Sequence, residues 1–466
     1  MLDKELEASV DAYVDEVWED VVRDIESLVA HPSVADSSRA AEGAPYGPDV
    51  RAALDEALSI ARRLGYQTGS YEGYMGFADV LGYSERQVST IAHLDVVPAG
   101  TGWATDPFSM VRRDGWLLGR GVIDDKGPAV LSLYAGAYLI RQGIKPRYTF
   151  RALLGCDEEV GMTDVHRYLD RYEAPAFLFT PDATFPLCNA EKGLFDGTFT
   201  TAPLDGRVRD FSGGEVSNAI PGEATMLLAA DAASLPAADG IEVEDAGEGL
   251  ARLTAHGCGG HASMPEGTVN AIGLLVSYVL DNGLVEGDER RAFELLGRIH
   301  ADTAGEGLGI ATSSPAFGPL TVVGSVVRMS EGRIVQSIDS RYPDSTSVDE
   351  LASALTELAA SYGATFETGV TKVPFSVAAD SAPVRALLET YADVTGEHAE
   401  PFAMGGGTYA RNFPAGVSFG PEEEIADTPA WAGSMHGPNE AANEASLKRA
   451  LKMYVIAILR LMEADL

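Results

Sequence analysis

Residues 89–100 read STIAHLDVVPAG. Val88 through Ala92 have the β-branched, apolar texture of a buried strand, yet the run ends in His93 and Asp95. Both side chains cost free energy to desolvate, and with one residue between them a strand directs both to the same side. The pattern recurs along the chain. Asp124 and Asp125 lie in GRGVIDDKGP, between a glycine turn and a helical pattern. Glu158 and Glu159 follow RYTFRALLG in GCDEEVG, and Asp182 follows AFLFT in TPDAT. His436 comes in SMHGPNE, after GVSFG and a loop. Open α/β sheets bind ligands beyond the carboxyl ends of their strands, and five segments deliver imidazole or carboxylate groups to that one edge.

So many carboxylates in one dry crevice raise each other's pKa or expel one another. Divalent cations resolve the conflict. Two imidazoles and three carboxylates suit a pair of zinc-like ions, with one carboxylate bridging and water between them. Taken singly, each acid also reads as a cap or a surface charge, and Asp182 after a proline reads as a turn former. The ordered set is what points to metal chemistry.

The elements that must hold these groups can be outlined from periodicity. Helical spacing covers residues 11–30, 49–64 and 127–143, and strand texture covers 87–97, 147–155 and 176–180. Such alternation argues for an α/β sheet. Past Cys188 the chain turns to short β-type runs, many glycines and helical stretches near 270–282 and 348–361. The α/β texture returns from about 382, with a helix at 384–395, a short strand at 416–419 and a long helix from about 439. The expected organisation is a catalytic domain over 1–187 and 382–466, split by an inserted domain over 188–381. At 466 residues the chain exceeds one ordinary core, which agrees with two domains.

Composition narrows the class. Lys and Arg total 34 against 70 Asp and Glu, for a net charge of −36. That charge repels phosphate backbones and anionic membranes, so no nucleic-acid or membrane partner is expected. No apolar stretch reaches the roughly 18 residues of a membrane helix. The acidic, helix-periodic N-terminus has no signal-peptide pattern, so a cytoplasmic location is expected. Cys156, Cys188 and Cys258 lack CxxC spacing and read as reduced thiols.

The order HLDVVP, GRGVIDDKGP, GCDEEVG, TPDA and MHGPNE resembles the M20 metallopeptidase family, specifically its PepV-like dipeptidases of the Xaa-His/β-Ala type, over nearly the whole chain. The resemblance implies a mixed-sheet, zinc-exopeptidase-like α/β catalytic domain interrupted by an α+β lid. It implies two Zn2+ per chain, with Mn2+ or Co2+ as substitutes. His93, Asp124 and Asp182 would hold one ion, and Asp124, Glu159 and His436 the other, Asp124 bridging. Asp95 would be the neighbour that orients His93, since carboxylates commonly hold a metal-bound imidazole, and Asp125 a neighbour only. Glu158 would be the general base toward a metal-activated water.

The inserted stretch HGCGGHASMPEGTVNAIG singles out His261, which in the family polarises the scissile carbonyl. Asn218, in EVSNAIPGEA, matches a position associated with substrate contact. Arg341, in SIDSRYP, matches an Arg that holds the substrate carboxylate, although one Arg on a strand is also an ordinary salt-bridge former. MGGGTYAR sets Gly405, Gly406 and Gly407 before Thr408, where backbone N–H groups can approach an anion closely or simply form a flexible loop. The expected protein is a monomeric dipeptidase acting on small peptides. The alternatives are an N-acyl-amino-acid deacylase with the same ligands and a non-catalytic peptide binder, the latter having no need of Glu158.

Overall fold

The computed structural model describes residues 3–423 and 425–466. The chain divides into two compact units, one of Met1–Asn189, Ser376–Phe402 and Gly407–Leu466, the other of Ala190–Phe375 and Ala403–Gly406. The crossings therefore fall after 189 and 375, where 187 and 381 were expected. Residues 403–406 go with the inserted unit because Lys192 N–H donates to the Met404 carbonyl at 2.9 Å and Arg341 reaches the Gly405 carbonyl at 3.1 Å.

The first unit is built on a mixed sheet. Its order begins Gln67–Tyr71, Met75–Val80, Tyr148–Gly155, Ser84–His93, Phe177–Thr180, Gly416–Ser418 and Cys188–Glu191. The four strands Tyr148–Gly155, Ser84–His93, Phe177–Thr180 and Gly416–Ser418 run parallel, while the hairpin at one edge is antiparallel. Every residue of Tyr148–Gly155 is buried, as a parallel strand covered on both faces requires. Helix Lys126–Arg141 packs against that sheet and is buried from Lys126 through Leu139, so its apolar composition runs all the way round. Helices Lys4–Val29 and Glu444–Glu463 pack on it in turn. The last helix starts at Glu444, not near 439. Asn443 caps it by accepting from the N–H groups of Ala445 and Ser446, and Ala441–Asn443 is a strand paired with Trp116–Leu118.

The second unit is an eight-stranded antiparallel sheet in the order Ile241–Gly247, Leu250–His256, Glu223–Ala229, Val208–Gly213, Thr321–Ser330, Arg333–Tyr342, Gly193–Thr200 and Thr365–Lys372. Alternate residues of Gly193–Thr200 are buried, the period of a strand with one face on a core. Helices Ala271–Asp281 and Val348–Ser361 pack on the sheet, and Gly287–Ile299 packs on the first of them. Phe195, Phe199, Phe211, Ile272, Phe293 and Ile338 lie in the shared core.

Candidate metal centre

Parallel register brings the strand ends level, with His93 opposite Gly155 and Ser418 opposite Thr180. The residues that follow those ends form one cluster inside the first unit. His93 is 1% exposed and presents Nε2 to Asp124 Oδ1 at 2.9 Å and to Asp182 Oδ2 at 3.9 Å. His436 Nε2 lies 2.8 Å from Asp124 Oδ2 and 3.3 Å from Glu159 Oε2. Asp124 thus shares its two oxygens between two imidazoles. Asp125 is joined to it by a cis peptide and uses Oδ2 to accept the His93 backbone N–H at 3.0 Å.

The tautomer of His93 follows from its other nitrogen. Nδ1 lies 2.9 Å from the Asp95 backbone carbonyl, which can only accept, so Nδ1 carries a proton. In the neutral ring Nε2 is then a lone pair aimed at two carboxylates. A proton or a cation must lie between them. Burial opposes charging His93, but the nearby carboxylates of Asp124 and Asp95 outweigh it and raise the imidazole well above its ordinary range. Hydrogen bonds to Asp124 and Glu159 raise His436 to about 11.

Asp95 acts differently from the expectation. Its carboxylate is 3.6 Å from His93 Nδ1, and the backbone carbonyl makes the orienting bond instead. The carboxylate accepts the backbone N–H groups of Glu158 at 3.2 Å and Glu159 at 3.1 Å, clamping the turn that carries both glutamates. The reason is geometric: Leu94 continues the strand pairing by donating to the Gly155 carbonyl, which brings Asp95 alongside that turn.

The acids crowd one another. Burial first, then the neighbouring carboxylates, raises Asp182 to about 7 and pushes Glu158 well above the usual range. Ligand atoms of His93, Asp124 and Glu159 lie within 4.8 Å of one another, as do those of His93, Glu158 and Asp182. Glu159 Oε1 is buried without a hydrogen-bond partner. A buried carboxylate oxygen with no hydrogen-bond partner, in a cluster of further carboxylates and imidazoles, is costly unless a cation compensates it, so the donor set fits divalent metal. Sequence reasoning missed Glu422, whose half-buried carboxyl is raised by desolvation and then by Asp182 and Asp124. Its only signal was a place in an acidic run after the strand Gly416–Ser418.

The residues expected from the lid group within the second unit. Asn218 and His261 are neighbours, since the Asn218 carbonyl accepts from the Ala262 N–H at 2.9 Å and Ala219 pairs with His261. Arg341 has its fork on Asp339, through Nε and Nη2 at 2.8 Å each, while Nη1 reaches the Gly405 carbonyl at 3.1 Å. Arg341 and Gly405 therefore meet, but the charge of Arg341 is already matched by Asp339. A Cβ on Gly405 would lie 2.9 Å from that of Ser263, so the close approach requires glycine. Thr408 belongs to the first unit and is buried. Its hydroxyl accepts from the Ala410 N–H at 3.1 Å, capping the turn Tyr409–Asn412, and lies 3.2 Å from the Ser418 hydroxyl.

The profile described as Peptidase family M20/M25/M40 matches residues 90–460, and the chain belongs to that family. It is therefore a hydrolase, a metal-dependent peptidase. The Beta-Ala-Xaa dipeptidase of Lactobacillus delbrueckii subsp. lactis is 29% identical over 460 residues, which cover 95% of this chain and 96% of that protein. YtjP of Bacillus subtilis (strain 168) is 30% identical over 466 residues, 95% of this chain and 97% of the relative. The structure of human carnosine dipeptidase 1 shares the fold across 98% of this chain and 99% of its own, with a TM-score of 0.62 and 16% identity. No helix among the described residues is long and apolar enough to cross a membrane.

Proposed function

We propose that this chain is a dipeptidase that hydrolyses the peptide bond of small peptides with two divalent ions, zinc in the first instance. The observation that carries this reading is the convergence of His93, Asp124, Asp182, Glu159 and His436 on one another, with Glu158 among them and outside the set of five. His93, Asp124 and Asp182 would hold one ion and Asp124, Glu159 and His436 the other. Ions bound there supply positive charge that polarises the scissile carbonyl and lowers the pKa of water. Glu158, its backbone fixed by Asp95, takes the proton of the attacking water and passes it to the leaving amine. His261 stabilises the developing oxyanion, and Asn218 contacts the substrate beside it. The relative named for Beta-Ala-Xaa dipeptides supports a dipeptide over an N-acyl amino acid as substrate. The same proposal makes the enzyme a cytoplasmic monomer.

The test is exhaustive chelation followed by Zn2+, Mn2+ or Co2+, scored on a panel of dipeptides and N-acyl amino acids. Loss of dipeptide hydrolysis on chelation and its return with metal is the expected result. Full activity in the chelated protein would overturn the mechanism, and turnover of N-acyl amino acids alone would make the chain a deacylase.

A dipeptidase must also measure length, and Arg341 with the 405–408 loop is the assigned ruler, gripping the terminal carboxylate. Three N–H groups of Arg341 are used by Asp339 and Gly405, out of the five a guanidinium carries. The others, with the backbone N–H groups of Gly406 and Gly407, are the donors assigned to substrate. A hydrogen bond to a charged group is worth about 1.5–3 kcal/mol, roughly ten- to a hundredfold. Amidated dipeptides should lose at least that much in kcat/KM. Arg341→Ala should lose as much on the free acid and little more on the amide. Equal cutting of both substrates by the mutant and the parent would return Arg341 to a purely structural partner of Asp339.

A further inference from the structure

Arg120 and Glu440 form an ion pair with both partners almost wholly buried, at 1% and 0% exposure. Arg120 Nη1 donates to Glu440 Oε2 at 2.6 Å. Removing two charges from water is expensive, and apolar residues of similar volume often do as well for stability alone. The pair is better explained by what else its atoms hold.

Glu440 Oε1 accepts the backbone N–H groups of Gly121 at 3.0 Å and Ile123 at 3.2 Å, with Asp124 N–H at 3.4 Å. One carboxylate oxygen therefore gathers the loop that ends in Asp124. Arg120 belongs to that same loop, and its Nη2 reaches back to the His436 carbonyl at 3.3 Å. The backbone of Glu440 is fixed as well, because its carbonyl accepts the Gly119 N–H at 3.0 Å just before the strand Ala441–Asn443. Asp124 and His436 lie more than three hundred residues apart in sequence, yet each sits four residues from one partner of this pair. His436 itself has a φ of 60°, a left-handed conformation uncommon for a non-glycine residue.

We propose that Glu440 and Arg120 are positioning residues that set the separation of Asp124 from His436, and so the affinity of the ion those two hold with Glu159. The proposal rests on the two-ion reading of the centre. Neither residue touches substrate or the reacting atoms. Outer partners of metal ligands change affinity by about 10–100-fold when removed. Glu440→Gln keeps the shape and removes the charge. It should loosen one of the two ions by that factor and leave the other as in the parent, with kcat recovering at high Zn2+ and KM for the dipeptide unchanged.

The measurement is Zn2+ titration of metal-free protein against a chromophoric chelator, alongside the thermal midpoint of the same metal-free protein. Glu440→Asp, which keeps the charge, should recover part of the lost affinity. Because Glu440→Gln exposes an unpaired Arg120 inside the fold, a second variant carries Arg120→Met with Glu440→Leu, which fills the space without charge. That variant leaves the Gly121 and Ile123 N–H groups without their acceptor, so its midpoint should fall below the parent's, but it should stay folded and still lose affinity at one ion. In a His436→Ala background Glu440→Gln should add nothing, whereas in a His93→Ala background its full loss should persist. Unchanged affinity for both ions in the folded double variant, or an equal loss at both, would overturn the proposal. A parent that binds no ion would overturn the centre itself and this inference with it, whereas two ions in the parent and no selective loss would overturn the inference alone.

Discussion

Glu158→Gln is expected to keep both ions and lose turnover by about 10²–10⁴-fold, the usual contribution of a positioned acid–base group. The amide matches the carboxylate in size, and the Asp95 clamp on the backbone of residues 158 and 159 does not involve the side chain. The turn should therefore stay in place. What is lost is a group that can accept a proton and release it. The environment of Glu158 suits that task, since burial and then Asp182 raise its carboxyl well above the ordinary range and favour holding a proton once it has been taken. Metal analysis discriminates this role from ligation, a real alternative because a carboxylate oxygen of Glu158 lies within 4.8 Å of ligand atoms of His93 and Asp182. Loss of one ion in the variant would move Glu158 into the ligand set. Glu159→Gln is the control. It should weaken the ion shared with His436, since its Oε2 lies 3.3 Å from that imidazole.

The site was legible where chemistry is local in sequence. His93, Glu158, Glu159 and Asp182 each end or follow a strand-like run, and parallel register gathers those strand ends by construction, while Asp124 stands just before a helix and His436 beyond a loop. Helix Val348–Ser361 falls on the stretch expected near 348–361, and the Ser347–Glu350 capping box holds its start. Other features depend on what a segment meets in space. The NEAANEAS stretch offers two asparagine starts, and only the pairing of Ala441–Asn443 with Trp116–Leu118 decides for the second. Helix Gly287–Ile299 was not among the expected elements although Ala292, Phe293, Leu295, Leu296 and Ile299 give GDERRAFELLGRI a helical apolar stripe that could have been read. That Asp95 holds the Glu158 turn, and that Asp339 neutralises Arg341, are contacts across strands or along one strand face, invisible to motif spacing. Arg120 lies in GRGVIDDKGP and Glu440 in MHGPNE, but nothing in either stretch shows that the two pair across the chain.

His261→Ala should cost about 10²–10³ in kcat, the range for removing one oxyanion donor, with little change in KM. The argument starts from the far nitrogen. Ser263 N–H donates to His261 Nδ1 at 3.2 Å, and Ser263 Oγ lies 2.7 Å from the same atom. A nitrogen that accepts a backbone N–H carries no proton, so the neutral ring keeps its proton on Nε2. That tautomer has a hydrogen-bond donor at the outer end of an exposed side chain, the form an oxyanion needs. Ser263→Ala removes one of the two partners of Nδ1 and should produce a smaller loss in the same direction. On the monomer proposed above, each chain uses its own His261, carried by an inserted unit with its own eight-stranded sheet and core. An equimolar mixture of His261→Ala and Glu158→Gln chains should therefore stay as inactive as either alone. Up to a quarter of parental activity returning in the mixture would mean that one subunit lends its His261 to another, and the monomer would have to be abandoned while the assignment of His261 stood.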